Sequence, residues 1–401
     1  MTAARRLAAQ LLVAAAIAGC QERLTAPAEC PELCPGGETR VFDTVLTPIA
    51  GRDSSYTGYV SRSSAGALLV SNGLPASEDR AVYRFSARRD SIEVRDTARA
   101  YTVDSALIAL NLVARDTLVD GLKVYLYRID PTVDTSATFE SIDQQLVSTA
   151  IIDSIAVPDS VSSGQIQTLL RGAALEKVAL PVGTGGVLAI GVGMTAAQPT
   201  GIRLGASGAG TGATFISYVT VDVPDTGSLR KQTLTQLPSF NTYVTQVPLT
   251  PDPMFLTVGG APSSRALLRF DLPDLIEDSA TIVRATLELL PVTPLLGLPG
   301  DPALLQAKAL LADLGAKSPV TDEEAFIAAD TIPVNSADTV RLDVTGIIQL
   351  WQSVDERPEA VFLSFLPEAA SFTRPVFGST RSGAAPRLRI TYLKPFAFEL
   401  P

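Results

Sequence analysis

Apolar and polar residues alternate along much of this chain, at the two-residue period of strands that bury one face. The first such stretch is Arg40–Ile49 (RVFDTVLTPI), and SSYTGYV follows from Ser54 to Val60. Ala106, Ile108, Leu110 and Leu112 keep the period, and Val124, Leu126 and Ile129 take it up in the next stretch. Ala67–Gly73 (ALLVSNG) and Phe255–Gly260 (FLTVGG) both end in glycine turn signals. Val187–Met194 (VLAIGVGM) is apolar almost throughout, the mark of a strand buried on both faces. Glu359–Glu368 and Pro386–Leu393 complete the core strands. The period changes in LDVTGIIQLWQ, Leu342–Gln352, which starts as a strand and predicts a helical turn after Thr345 with Ile347, Ile348 and Trp351 inward. Glu323–Ala329 predicts a short helix. Leu304–Ala312 has helix-forming composition, yet its match elsewhere in the chain makes it a strand.

That match belongs to an internal repeat. Arg84-Phe85 recurs as Arg269-Phe270, SALIALNLV from Ser105 as RATLELLPV from Arg284, and LKVYLYRID ending at Asp130 as LQAKALLAD ending at Asp313. An acidic segment with an aromatic follows each, around Phe139 and around Phe326, and near the ends Tyr218 and Tyr392 take corresponding places. The matches run in order at a nearly constant offset, so the chain reads as two copies of one domain. Boundaries fall at 39–221 for the first copy and 239–395 for the second, with a linker at 222–238 marked by Pro224-Asp225-Thr226-Gly227, and a tail at 396–401.

Composition agrees. The chain has 401 residues, 46% hydrophobic and only 18% charged, with 29 Gly and 28 Pro. That balance suits all-β sandwiches, each large enough for its own core, better than helical bundles.

Residues 1–19 read as a targeting segment: Arg5 and Arg6 precede an apolar run, Leu7–Ala18, broken only by Gln10. The segment ends in Ile17-Ala18-Gly19-Cys20, which resembles the lipobox of bacterial lipoproteins. The resemblance implies cleavage after Gly19, a lipid anchor on Cys20, and a place in the cell envelope. Gln21 after the cysteine leans towards the outer membrane or cell surface by the sorting rule of some Gram-negative lipoproteins. Residues 20–38 form a Pro/Gly/Glu-rich tether holding Cys30 and Cys34. In an exported chain a disulfide between them is the expectation, with free thiols, an intermolecular bridge or a metal site as alternatives.

The formal charge of −10 and the lack of any Lys/Arg run argue against a phosphate-backbone interface, so no nucleic acid is expected. No histidine occurs, which removes Ser-His-Asp and Cys-His catalysis and imidazole metal sites. Asp271, Asp274, Glu277 and Asp278 lie close in sequence, but their setting predicts a solvated loop between strands. Loop carboxylates would suit calcium better than zinc, although no EF-hand pattern is present and no cofactor is expected otherwise. The Gly205–Thr214 glycines lack the G-K-[ST] of a phosphate loop and read as an inter-strand turn. Trp351, the single tryptophan, sits in an apolar series and is assigned to the core. Tyr56 and Tyr59, in a serine-rich segment, are the candidate ligand contacts.

The second copy resembles one family throughout. LTVGG, SRALLRFDLP, VRATLEL, DVTGIIQLW, VFLSF and APRLRITY follow the motif order of the DNRLRE (disaggregatase-related) domain, over about Met254–Lys394. The matching positions are Arg269, Phe270, Asp271, Leu272, Ala285, Asp343, Thr345, Trp351, Pro386, Leu388 and Tyr392; the first copy keeps Arg84 and Phe85 but has Ser86 in place of Asp271. The resemblance implies jelly-roll-like sandwiches similar to carbohydrate-binding modules. The expected whole is two tandem antiparallel β-sandwiches on a lipid tether, a non-enzymatic envelope lipoprotein that binds glycan or another envelope polymer. The alternatives are a structural or adhesion lipoprotein that docks envelope proteins, and a glycoside hydrolase or lyase, which needs two carboxylates about 5–10 Å apart in a cleft.

Overall fold

The structure, a computed structural model, describes residues 41–394 other than 75–76, 181–185, 224–227, 247–251, 296, 299–303 and 354–356. The expected signal peptide, Cys20, Cys30, Cys34, the tether, Pro224–Gly227 and the C-terminal tail lie outside the described residues.

The fold is all-β and built from antiparallel sheets. Its strands in chain order are β1 (Val41–Leu46), β2 (Ser54–Thr57), β3 (Ala67–Asn72), β4 (Asp79–Phe85), the small hairpin β5 (Ile92–Val94) and β6 (Thr97–Arg99), β7 (Tyr101–Arg115), β8 (Lys123–Ile129), β9 (Ile151–Ala156), β10 (Gly164–Leu170), β11 (Ala189–Thr195), β12 (Thr200–Gly205), β13 (Thr214–Val223), β14 (Ser228–Gln236) and β15 (Pro238–Thr245). The remainder are β16 (Phe255–Thr257), β17 (Ser264–Arg269), β18 (Thr281–Leu289), β19 (Leu304–Ala309), β20 (Ile327–Thr331), β21 (Val340–Asp343), β22 (Ala360–Leu366), β23 (Val376–Gly378) and β24 (Arg387–Leu393). Among the described residues four short α-helices accompany them: α1 (Phe139–Asp143), α2 (Ala173–Lys177), α3 (Asp274–Asp278) and α4 (Thr345–Ser353).

In the first sandwich, the sheet β14-β13-β7-β12-β3, with β10 also on β7, faces the sheet β15-β4-β11-β8-β9. Tyr83, Phe85, Ile108, Leu110, Phe215 and Tyr243 fill the space between them. In the second, β1-β24-β18-β21 faces β2-β17-β22-β19-β20 across Leu268, Leu287, Leu363, Phe365 and Ile390. The two orders correspond strand for strand: β15-β4-β11-β8-β9 with β2-β17-β22-β19-β20, and β14-β13-β7-β10 with β1-β24-β18-β21. Register corresponds too, since Gly191 pairs with Val82 and Tyr127, and Phe362 with Leu267 and Lys308.

The sandwiches are not consecutive blocks of chain, and this corrects the boundaries at 39–221 and 239–395. β1 pairs with β24 from Val41↔Leu393 to Leu46↔Leu388, and β2 with β17 from Thr57↔Ser264 to Ser54↔Leu267, so both belong to the second sandwich. In the matching places the first sandwich has β14 and β15, which pair with β13 and β4. Residues 222–223, 228–236 and 238 are therefore strand, not linker. The first sandwich is an insertion between β2 and β16 of the second. The physical reason is that alternation specifies a strand and its buried face, while its partner is chosen by whichever sheet edge is left open.

Three local expectations can be compared directly. Leu304–Ala309 is a strand, its Leu305, Ala307 and Ala309 buried, so sheet pairing overrides helix propensity. Leu342–Gln352 runs from β21 into α4 with Ile347, Ile348 and Trp351 buried, as the pattern predicts. Glu323–Ala329 differs: a single 3-10 turn at Glu324–Phe326 gives way to β20, because β19 offers a ladder from Lys308↔Ile327 onwards. The Gly205–Thr214 turn joins β12 to β13, and a side chain at Gly205 would meet the Thr211 carbonyl oxygen 1.9 Å away.

The sandwiches also touch. Phe372 of the second lies against Gly201 of the first and is counted in its core, and the Tyr243 hydroxyl donates to the Ala369 carbonyl at 2.8 Å. At the start of β4, Asp79 is fully buried and accepts from the Ser77 and Ser71 hydroxyls at 2.7 and 3.1 Å. Burial pushes its carboxyl up to about 6, against those hydrogen bonds. Between the unfolded value near 4 and that folded value, the folded chain holds the proton more tightly, so stability falls as pH rises through this window. Asp79→Asn is expected to flatten the pH 4–6 slope of first-sandwich stability by about 3 kcal/mol relative to the parent, read by urea titration at each pH. An unchanged slope would place Asp79's titration elsewhere.

Candidate functional site

Sheet alternation turns half of each strand's side chains away from the core, and the outward set on the five-stranded sheet of the second sandwich is unusually rich in chemistry. Ala266 and Leu268 of β17, Leu363 and Phe365 of β22, and Leu305 and Ala307 of β19 point inward. Arg265 and Arg269, Phe362 and Ser364, and Gln306 and Lys308 therefore share the outer face.

Tyr56 and Tyr59, the expected contact residues, stand at the edge of this face and are engaged within the protein. Both pack with Leu267, Leu310, Ala360 and Phe362. The Tyr59 hydroxyl donates to the Ala316 carbonyl at 2.6 Å, its ring meets Phe362 edge-on at 5.7 Å, and the Arg265 guanidinium lies over it at 4.4 Å. Burial holds the Tyr59 phenol above its ordinary value, with Arg265 pulling the other way. Phe362, 2% exposed, is the floor beneath them. The tyrosines thus rivet β2 to the sheet.

Arg265 donates from Nε and Nη2 to the two carboxylate oxygens of Glu368 at 2.6 and 2.7 Å. Such a bidentate pair fixes the plane of both groups. Arg269 grips Asp313 in the same way at 2.6 and 2.7 Å and donates to the Arg52 carbonyl; these bonds hold the Asp313 carboxyl below the usual carboxylate range. Beside Arg265 a shallow recess is lined by Gln306, Lys308, Val320, Ser364, Leu366 and Glu368. Gln306 and Ser364 face each other across β19 and β22. Among the described residues neither side chain has a hydrogen-bond partner. The sequence gives no signal for this pair, since lone Gln and Ser within strands are ordinary.

The matching face of the first sandwich is closed. Val133, Phe139, Ile142 and Leu146, from the segment around α1, cover Val82, Ala189 and Val244. Leu146 occupies the space above Gly191, where the second sandwich has Phe362: its Cδ2 lies 2.6 Å from where a β-carbon would be. Arg80 is committed to Glu78 and Asp143, and Arg84 to the Val133 carbonyl and the Phe240 ring.

The remaining candidates sit apart. Asp271, Asp274, Glu277 and Asp278 are exposed, the last three on α3 rather than in a loop. Nearby Glu359 accepts from the Leu272 amide at 2.6 Å, and burial raises its carboxyl above the ordinary value. Among the described residues no three Cys, Asp or Glu side chains gather as a metal cage. Trp351 is 4% exposed, 6.2 Å from the Phe270 ring centre, and its indole N–H finds no acceptor among the described residues.

The fold thus defines an all-β protein of two antiparallel sandwiches, the second carrying a polar recess on the outer face of its five-stranded sheet. No protein-family model matches the chain, and no curated protein does. No helix among the described residues is long and apolar enough to cross a membrane.

Proposed function

We propose that this protein is a non-enzymatic, lipid-anchored envelope lipoprotein, built from two DNRLRE-like, jelly-roll-like sandwiches, that binds polysaccharide on the outer sheet face of the second. The observation that carries the reading is the Gln306–Ser364 pair beside the fixed Arg265–Glu368 fork. Sugar hydroxyls ask for planar groups that donate and accept at once, held rigidly so that little side-chain entropy is lost on binding. Val320 and Leu366 supply apolar ground for a pyranose C–H face. The closed sister face argues for one such site per chain. The motif order named above supports the same class by analogy alone. A lipid on Cys20 would lead through the tether into β1, and so into the sandwich that carries the site.

Pull-down of the soluble fragment Glu38–Pro401 on insoluble envelope polysaccharides tests this. Retention is expected, and Gln306→Ala should weaken it about tenfold, the worth of one or two hydrogen bonds. Retention that is indifferent to Gln306, or absent on every polysaccharide, sinks the assignment and leaves the docking of envelope proteins.

A further inference from the structure

The two sandwiches share a fold but not a filling, and one difference leaves room for a small molecule. In the second, Ile390 of β24 stands opposite Ala285 of β18 and is fully buried. The first has Ser217 of β13 at the equivalent place, opposite Ala106 of β7. The helix that covers this end of the second sandwich is α4, nine residues long and carrying Trp351. Its counterpart in the first is α2, five residues without an aromatic. A smaller residue and a shorter lid leave a cavity of about 210 Å³ lined by Ala106, Val178, Leu180, Phe215 and Ser217, with Arg88 and Glu176 also at its wall. Ser217 is 0% exposed, and its hydroxyl has no hydrogen-bond partner among the described residues. Burying a hydroxyl unpaired is unfavourable, so the cavity presents a donor that needs an acceptor. Arg88 is held over the Tyr101 ring at 5.7 Å and to the Leu180 carbonyl at 3.2 Å.

We infer that the first sandwich holds a second binding site, for a single-ring apolar molecule bearing one oxygen acceptor. A cavity of roughly 150 Å³ accepts benzene, so this one takes a ring with a short substituent. The Ser217 hydroxyl donates to the substituent's oxygen, and Phe215, Val178 and Leu180 pack the ring. The inference is independent of the polysaccharide site.

Acetophenone and its isostere α-methylstyrene, which replaces the carbonyl by a methylene, are the probes. Calorimetric titration of the Glu38–Pro401 fragment is expected to detect both. Ser217→Ala should weaken acetophenone about tenfold and leave α-methylstyrene unchanged or tighter, because only the ketone accepts the hydrogen bond. Ser217→Ile, the residue of the sister sandwich, should abolish both and raise the melting temperature. Acetophenone binding that is absent up to its solubility limit, equal in Ser217→Ala, or intact in Ser217→Ile would overturn the site and leave a packing void that holds water only.

Discussion

Deleting residues 39–60 should unfold the second sandwich and leave the first intact. The deletion takes away β1 and β2, each an edge strand of one sheet of the second sandwich. With them go the β1–β24 and β2–β17 ladders, the Phe42 and Leu46 side chains on the core, and the Ile49 amide bond to the Arg269 carbonyl at 2.7 Å. Both sheets would then expose open edges over a broken core, a loss that exceeds the few kcal/mol by which such domains are stable. Trp351, the single tryptophan, lies in that core, so its fluorescence reports the second sandwich alone. Its emission should shift to that of a solvated indole, while circular dichroism keeps the first sandwich's β signal. A native Trp351 emission in the truncated protein contradicts the interleaved fold.

Asp53→Ala should be the most costly single substitution in the same strap. Asp53 is 0% exposed on the connection between β1 and β2. Its carboxylate accepts from the Thr380 amide at 2.7 Å and hydroxyl at 2.6 Å and lies 3.4 Å from Arg381 Nη1, while its own carbonyl accepts from Arg381 Nη2 at 2.7 Å. The alanine variant takes the carboxylate acceptor from the Thr380 amide and hydroxyl and from Arg381 Nη1, keeping only the backbone bond to Arg381 Nη2, and leaves a cavity. The expected loss is about 3–5 kcal/mol of second-sandwich stability, and Asp53→Asn, which keeps one acceptor, should lose less. Chemical denaturation followed by Trp351 fluorescence measures both. A loss below about 1 kcal/mol for alanine would mean that the strap is held by its ladders alone.

What could be read from the sequence follows from which interactions leave local traces. The repeat did, because corresponding strands need apolar residues at corresponding places, and Arg84 and Arg269 occupy matching outward positions. It even outweighed the helix propensity of Leu304–Ala309. Trp351 was legible as core because α4 keeps a helical apolar stripe. Partner choice left no such trace. SLRKQTLTQ of β14 is polar enough to pass for a linker, since an edge strand needs only a few apolar contacts, here Leu234 against Val219 and Val221. VFDTVL of β1 alternates identically whichever sandwich it completes. The recess pair Gln306 and Ser364 was illegible for the same reason: what distinguishes it is an absent partner, a property of three dimensions. Tyr56 and Tyr59 stand at the edge of the proposed face, but the sequence does not reveal that the Ala316 carbonyl and Arg265 already engage Tyr59.

The interleaving is tested most directly by hydrogen exchange of the intact Glu38–Pro401 fragment under native conditions. The β1 and β2 amides paired into the ladders should exchange in one cooperative unit with β24 and β17, and β14 and β15 with β13 and β4. Exchange of Val41–Thr57 in step with β3 and β4, independently of β24 and β17, would contradict the fold described here.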